Sequence, residues 1–275
     1  MKKYLSLFLW GLILGFFVGF VYADEGVSVG KPSALRNLVS AESLEKRAAM
    51  QYEQLKKQVA QQNALAPESS RELAHLRQIA KHLIAQSSRF NPRSTQWQWE
   101  VNLIASSQIN AFCMPGGKIA VYTGILRSLH LTDDEIAMVM GHEIAHALRE
   151  HARAQAGKGE LTQWGSLGLS VITGGRYDGL VRAGANLLTL KFSRNDETEA
   201  DLVGMELAAR AGYDPRSGIS LWKKMSASHR GAPPQWLSTH PSGDNRIREI
   251  EKHLPEVMPF YKKAMENKRR QNPNH

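Results

Sequence analysis

Residues 141–146 have the sequence G-H-E-I-A-H, and its two histidines four residues apart constrain this chain more than any other feature. Residues four apart lie on one face of an α-helix, so the imidazoles of His142 and His146 can reach a single metal ion. Glu143 lies about 100° around the same helix from His142. The pattern predicts a metal site on one helix, with a carboxylate beside it that need not bind the ion.

The sequence upstream supports a helix over this motif. Thr132 is followed three residues later by Glu135, which is the spacing of a capping box at a helix N-terminus. Asp133 and Asp134 suit the positive end of the helix dipole. We predict a helix from Thr132 to about Gln155. This start signal disfavours the competing interpretation, a surface helix with two unrelated histidines.

A catalytic zinc site needs a third protein ligand. The extended motif with a third histidine is absent, because Arg149 and Ala152 stand where it needs glycine and histidine. His151 is expected to point away from the ligand face. Farther along, Glu197 and Asp201 lie four residues apart at the start of another predicted helix. One of these carboxylates can bind the ion while the other orients an imidazole, or both can simply complement the helix dipole.

Composition limits the ligand types. The chain has 275 residues and a single cysteine, Cys113, so an intramolecular disulfide and a thiolate metal cage are both excluded. A metal site must then use imidazole and carboxylate, the set that suits an open catalytic zinc. The net charge of +9 is compatible with nucleic acid, anionic lipid or plain solubility, and we favour solubility.

The N-terminus is typical of a secretory signal. Lys2 and Lys3 precede an uncharged stretch over Tyr4–Ala23, and small residues at the usual offsets favour cleavage over an uncleaved anchor. We therefore expect residues 1–23 to be a signal peptide. The mature chain would lie in the periplasm or cell envelope, either free or associated with the membrane, and export disfavours nucleic acid as a partner.

Periodicity predicts a mainly helical α+β fold with a small sheet. The predicted strands cover residues 97–103 and 118–122, and the predicted helices other than the motif helix cover residues 40–62, 70–87, 193–211, 214–225, 246–254 and 259–270. The glycine-rich segment Gly157–Gly179 is interpreted as a mobile or membrane-facing element near a cleft. A buried hairpin of short helices is the alternative.

Four motifs follow one another along the chain. They are Asn110-Ala111-Phe112 with Pro115-Gly116-Gly117, the H-E-x-x-H segment, Ser193-Arg194 with E-x-x-x-D, and Thr239-His240-Pro241. In this order they resemble zinc metallopeptidase family forty-eight, which includes CAAX prenyl proteases, HtpX heat-shock proteases and OMA-type proteases. The resemblance spans about residues 73–250 and implies a gluzincin fold. We expect an exported bacterial member without a repeat array.

The sequence departs from the family pattern in two respects. Cys113 stands where a small residue such as alanine is usual, and the multiple spans of the membrane-embedded members are missing. The second departure disfavours processing of prenylated proteins.

The resemblance implies that Glu197 is the third zinc ligand beside His142 and His146, with one zinc ion per chain, and that Asp201 supports a ligand from behind. The expected activity is hydrolysis of peptide bonds by a zinc endopeptidase. In this hypothesis Glu143 takes a proton from a water activated by zinc and later delivers it to the leaving amine.

The resemblance also implies that residues 110–112 pair with the substrate backbone and that His240 and Arg246 face the site. His240 is our candidate for the donor that stabilises the oxyanion. Alternatively, it occupies the fourth zinc position and holds the enzyme latent, or it is an ordinary histidine before a proline. Pairing along a strand edge tolerates many side chains, so the expected substrates are unfolded or misassembled envelope proteins and the expected role is quality control.

We divide the chain into an N-terminal helical segment over residues 24–66, a metallopeptidase domain over 67–255 and a basic C-terminal helix or tail over 256–275. The main alternative function is a chaperone or assembly factor on a metalloprotease scaffold with little or latent proteolysis. A basic module that contacts the membrane surface through the C-terminal tail is a second alternative. A serine hydrolase is a third, but the G-x-S-x-G motif it needs is absent. The oligomeric state stays open.

Overall fold

The computed structural model describes residues 26–160, 187, 190–228, 235–241 and 244–271. The expected signal segment 1–23 and most of the glycine-rich segment 157–179 lie outside the described residues. The described part has the predicted α+β fold, mainly helical with a three-stranded sheet. None of the described helices is long and apolar enough to cross a membrane.

Nine helices and three strands are numbered here in chain order within the described residues. The strands are β1 (Glu100–Ile104), β2 (Ala111–Met114) and β3 (Lys118–Tyr122). The helices are α1 (Ala41–Gln61), α2 (Arg71–Ile84), α3 (Thr123–Ser128), α4 (Asp133–Leu148), α5 (described over 151–160), α6 (Arg194–Arg210), α7 (Ser217–Ala227), α8 (Gln235–Thr239) and α9 (Asp244–Gln271).

The sheet has the strand order β1-β3-β2, with β1 parallel and β2 antiparallel to β3. The turn between β2 and β3 needs two glycines, because Gly116 and Gly117 both have φ of 80°. A Cβ at Gly117 would also lie 2.6 Å from the Trp99 ring. Within the described residues β2 pairs only with β3, so its other edge remains open.

The core is built around two helices that approach each other closely. Helix α4 is buried from Glu135 through Leu148, and α6 is buried from Ala200 through Ala209. They meet at two glycines: a Cβ at Gly141 would lie 2.8 Å from the carbonyl oxygen of Gly204. This approach brings the motif on α4 against the first turns of α6.

Helix α4 ends earlier than predicted, at Leu148 rather than near Gln155. Glu150 breaks the helix with a positive φ of 57°. Its carboxylate pairs with Arg36 at 2.8 Å and with Arg153 at 2.7 Å. The break thus depends partly on a residue far away in the sequence, which a local pattern does not reveal.

The C-terminal prediction of two helices is wrong, because α9 is one continuous helix through Pro255 and Pro259. Each proline removes one backbone donor from the helix. However, Ile250 and Val257 are fully buried in the core, and the guanidinium of Arg210 on α6 lies 3.6 Å from the centre of the Phe260 ring. This packing holds the helix together across both prolines.

Candidate metal centre

The H-E-x-x-H motif lies within α4, which starts with the predicted capping box. The Thr132 hydroxyl accepts the N–H of Glu135, and the Glu135 carboxylate accepts the N–H of Thr132. His142, Glu143 and His146 are each 2% exposed. The Nε2 atoms of the two histidines lie 3.1 Å apart, so both rings point to the same place.

Two other helices complete the cluster. Glu197, in the first turn of α6, is fully buried, and its Oε1 lies 3.4 Å from Nε2 of His146. His240 directly follows α8, and its Nδ1 lies 3.0 Å from the same Glu197 oxygen and 3.2 Å from Nε2 of His142. The ligand atoms of these four residues all lie within 4.8 Å of one another.

The donor types and the shortest separations of these atoms are close to those of a zinc site. Zinc bonds to imidazole nitrogen and carboxylate oxygen are about 2.0–2.2 Å long, so neighbouring ligand atoms of such a site lie about 3.3–3.6 Å apart. The measured separations between neighbouring ligand atoms are 3.0 to 3.4 Å. The donor types therefore suit zinc, and these contacts are equal to or slightly shorter than those of such a site.

Burial and hydrogen bonding act in opposite directions on the cluster. Burial alone would lower the pKa of His142, but hydrogen bonds to the Asp201 and Glu197 carboxylates outweigh it and raise the pKa to about 9. Burial keeps the pKa of His146 well below its ordinary value. Burial also acts to raise the pKa of Glu197, yet hydrogen bonds from the three histidines bring it far below the usual range. Glu197 is therefore an ionised carboxylate, as a zinc ligand must be.

Asp201 and Arg246 contact His142 and Glu197 from outside the four-residue cluster. Asp201 Oδ1 is 3.0 Å from Nδ1 of His142, the ring nitrogen that faces away from the cluster. Arg246 donates to both Asp201 oxygens at 2.5 and 2.6 Å and to Glu197 Oε2 at 2.6 Å. Arg246 is only 4% exposed and stacks on Trp222, with the guanidinium 3.7 Å from the ring centre. Buried Arg246 therefore links the Asp201 and Glu197 carboxylates through hydrogen bonds.

His151 and Glu199 form a second support that the sequence patterns did not reveal. His151 lies outside the four-ligand cluster, as expected, but its Nδ1 is 2.9 Å from Nδ1 of His146. Its Nε2 is 2.9 Å from Glu199 Oε2, and Arg149 pairs with the other oxygen of that carboxylate. Because the helix breaks at Glu150, His151 lies against the side of the His146 ring that faces away from the cluster.

Glu143 contacts a residue that sequence reasoning also missed. Its Oε1 accepts the indole N–H of Trp236 at 2.6 Å and lies 3.6 Å from Nε2 of His240. Trp236 is fully buried, and its ring stacks on His240 with centroids 4.9 Å apart. The available signal was weak: Trp236 precedes His240 by four residues, one helical turn.

The residues predicted to pair with substrate lie beside the cluster. Ala111 and Phe112 belong to the edge strand β2, and the Asn110 carbonyl accepts the N–H of Tyr122 at 3.1 Å. A narrow cleft, with about 30 Å³ of space that a water molecule could occupy, lies between β2 and the cluster, and its lining includes residues 110–115, Glu143, His146, Phe192 and His240. Burial raises the pKa of the Cys113 thiol in this wall well above its ordinary value.

Several known proteins are similar to this chain. The chain is 30% identical over 274 residues to the mitochondrial metalloendopeptidase OMA1 of Bos taurus, which covers 94% of this chain and 50% of that protein. It is 39% identical over 151 residues to the mitochondrial metalloendopeptidase OMA1 of Arabidopsis thaliana, covering 54% of this chain and 30% of the relative. It is 28% identical over 183 residues to the beta-barrel assembly-enhancing protease of Escherichia coli (strain K12), covering 60% of this chain and 36% of the relative.

This chain thus spans half or less of the length of these relatives. The family model described as peptidase family M48 matches residues 70–254, which contain the H-E-x-x-H motif, Glu197 and His240. That match covers more than half of the chain and confirms the resemblance read from the four motifs. The chain belongs to peptidase family M48.

Proposed function

We propose that this chain is a zinc-dependent endopeptidase in which His142, His146 and Glu197 hold one zinc ion. The observation that carries the proposal is the compact, buried cluster of three imidazoles and one carboxylate beside the Glu143 carboxylate, which is not part of the cluster. Membership of peptidase family M48 and the metalloendopeptidase names of the relatives also support it.

Each side chain has a distinct role in this mechanism. A zinc ion held here would supply Lewis acidity toward a scissile carbonyl and would lower the pKa of water. Glu143 accepts a proton from the attacking water and passes it to the leaving amine. Asp201 fixes the ring of His142 so that Nε2 faces the cluster, and Arg246 holds Asp201 in place.

The position of His240 favours the second of the roles considered for it, in which His240 is a fourth zinc ligand in a latent form of the enzyme. Its Nδ1 lies at hydrogen-bond distance from Glu197 and His142, which is where a ligand atom would stand. Four protein ligands close a zinc site, whereas catalysis needs one open position. We propose that His240 leaves this position in the active form and then lies close enough to donate to the oxyanion.

The open edge of β2 supports extended peptides as substrates. Main-chain pairing along residues 110–112 would be tolerant of side chains, which suits unfolded or misassembled proteins. The N-terminal signal pattern supports export to the periplasm or envelope. A separate proposal is that the basic tail 256–275 makes peripheral contact with the membrane. We retain the division of the chain into residues 24–66, 67–255 and 256–275. The family match over residues 70–254 supports the middle part as a domain. Helix α9 runs from the middle part into the last part.

The substitution Glu143→Gln tests the proposal. We expect the zinc-loaded wild type to cleave an unfolded protein such as casein, and we expect Glu143→Gln to lose at least about 100-fold of that activity while it binds zinc equally. A chelator should stop the wild-type reaction and added zinc should restore it. Full cleavage by Glu143→Gln would contradict the mechanism.

An assembly factor with latent proteolysis is the second candidate, and the closed four-residue cluster favours it. The two candidates differ in cells. If Glu143→Gln supports normal envelope assembly although cleavage is lost, binding rather than hydrolysis is the main role. If the variant behaves like a deletion, proteolysis is the main role.

A further inference from the structure

The Glu143 carboxylate has one partner that the mechanism above does not use. The indole nitrogen of Trp236 donates to Glu143 Oε1 at 2.6 Å. Trp236 is 0% exposed and Glu143 is 2% exposed, so water cannot compete for this hydrogen bond. A hydrogen bond that is shielded from water is electrostatically stronger than one in water.

The geometry points to Trp236 as the residue that positions the Glu143 carboxylate for proton transfer, an inference that rests on the proposed function. An indole N–H can only donate, so it fixes one carboxylate oxygen without taking part in the transfer of a proton. The other oxygen, Oε2, accepts no hydrogen bond from the described residues, and we assign it the proton of the attacking water. Trp236 is a positioning residue, because it acts on the reaction through Glu143.

The hydrogen bond also settles a competition for the same oxygen. Nε2 of His240 lies 3.6 Å from Glu143 Oε1, close enough to attract the carboxylate if the ring moved slightly. The indole N–H is a full ångström closer and faces the same atom. Trp236 therefore holds Glu143 away from His240, whether or not His240 lies among the ligands.

Trp236 is itself held on three sides. Its ring stacks on His240 with centroids 4.9 Å apart and contacts the tilted ring of Trp222 with centroids 5.3 Å apart. Its backbone N–H donates to the carbonyl of Ile109 at 3.1 Å, just before the strand proposed to bind substrate. A ring fixed in this way can transmit a defined position to Glu143, as a support for a catalytic group must.

The most selective test replaces only the indole N–H. Trp236 is exchanged for 3-benzothienylalanine, which keeps the bicyclic shape but has sulfur in place of N–H, and Trp236→Phe is made beside it. With a fluorogenic peptide we expect kcat to fall about 10- to 100-fold while KM stays within about twofold. Zinc content and melting temperature of the benzothienyl protein should match the wild type.

The chain offers a matched control. Nε1 of Trp97 donates to the Glu45 carboxylate at 3.0 Å, which is the same kind of hydrogen bond at a position with no role in the proposed mechanism. The same exchange at Trp97 should leave kcat and KM unchanged. A fall in kcat at both positions would show a general effect of the analogue and would overturn the assignment.

A second readout does not depend on activity. The chain has six tryptophans, so an indole-labelled spectrum contains at most six N–H signals, and Trp236→Phe identifies one of them. We expect that signal at low field with slow solvent exchange, and we expect Glu143→Gln to move it upfield. The position and exchange rate of the Trp236 signal are measured in metal-free and in zinc-loaded protein.

The outcomes separate the two claims. A wild type that cleaves no peptide overturns the proposed function, and with it the role of Trp236 in that reaction. If the wild type cleaves, an unchanged or raised kcat in the benzothienyl protein overturns the role of Trp236 alone, as does a change confined to KM. A fall in kcat at constant KM, with the Trp236 signal sensitive to Glu143→Gln, supports it.

Discussion

Nδ1 of His151 and Nδ1 of His146 lie 2.9 Å apart, so one imidazole donates a hydrogen bond to the other. The opposite nitrogen of His146 faces the ligand cluster, and the opposite nitrogen of His151 meets Glu199 at 2.9 Å. A carboxylate and an imidazole thus hold the second histidine of the motif from behind. Asp201 holds the first histidine, His142, in the corresponding way.

His151→Ala and Glu199→Gln should weaken zinc binding although neither residue is a proposed ligand. Loss of a partner behind a metal ligand typically costs about 10- to 100-fold in affinity. Competition with a chromophoric chelator measures this change. Glu72→Gln is the control, because Glu72 pairs with Arg127 at 3.1 Å, and neither residue contacts the cluster within the described part of the chain, so the affinity should stay unchanged. Equal affinities for all three variants would contradict the proposed support.

The close approach of α4 and α6 should not tolerate a methyl group. A Cβ at Gly141 would lie 2.8 Å from Gly204 O, and a Cβ at Gly204 would lie 2.7 Å from His142 N. Backbone atoms cannot turn aside, so Gly141→Ala must separate the helices that carry the proposed ligands. We expect a loss of about 1–3 kcal/mol in the free energy of unfolding and weaker zinc binding.

Gly159→Ala is the control for this substitution. Gly159 is also helical, and a Cβ there would meet no described residue within 4 Å. Urea unfolding should show a gain of about 0.5–1 kcal/mol, because alanine is the better helix former. If Gly141→Ala were as stable as Gly159→Ala, the close approach of α4 and α6 would not constrain position 141.

Replacement of Arg246 should affect stability and zinc binding together. Its guanidinium holds both Asp201 and Glu197, an arrangement that a lysine ammonium cannot reproduce. Arg246→Met leaves buried carboxylates without their cation, which costs about 3–5 kcal/mol in comparable pairs. Urea unfolding and chelator competition on Arg246→Lys and Arg246→Met measure both effects. A raised KM with normal stability and zinc affinity would instead place Arg246 at the substrate.

Glu135, in the first turn of α4, should make the free energy of unfolding depend on pH. Burial opposes ionisation of Glu135, but hydrogen bonds from Lys224 and Ser220 outweigh burial and lower its pKa. A carboxylate with a lowered pKa in the folded state contributes stability above its unfolded pKa. That contribution is lost as the pH falls through the folded pKa.

Glu135→Gln should therefore lower the free energy of unfolding by about 1–3 kcal/mol at about pH 7, and the difference from wild type should shrink as the pH falls through the lowered pKa of the folded state. Comparing the two metal-free proteins cancels the titration of all other groups. Glu53→Gln, which removes a surface pair with Lys56, should change stability by less than about 1 kcal/mol. A constant difference across the pH range would refute the assignment to Glu135.

Local patterns predicted the elements whose signals are local. Strand β3 has the predicted bounds, and α4 begins at the predicted capping box because Thr132 and Glu135 satisfy each other without help from the rest of the chain. The predicted carboxylates Glu197 and Asp201 also lie where the resemblance implied, since one turn of α6 carries both.

The parts that escaped prediction depend on contacts between distant segments. Trp236 reaches Glu143 from 93 residues away, and His151 meets Glu199 from 48 residues away. Neither pair has a spacing that suggests its contact. The continuity of α9 was missed for a similar reason, because buried Val257 offsets helix-breaking prolines only once α6 is in place.

The most direct test of the account is the zinc content of purified protein after dialysis, with Glu197→Gln beside the wild type and Glu143→Gln. The glutamine at position 197 keeps an oxygen for Arg246 but is a poor zinc ligand. We predict about one zinc per chain in the wild type and in Glu143→Gln, and less than about 0.1 per chain in Glu197→Gln. Zinc near one per chain in all three proteins would contradict the claim that Glu197 completes the metal site.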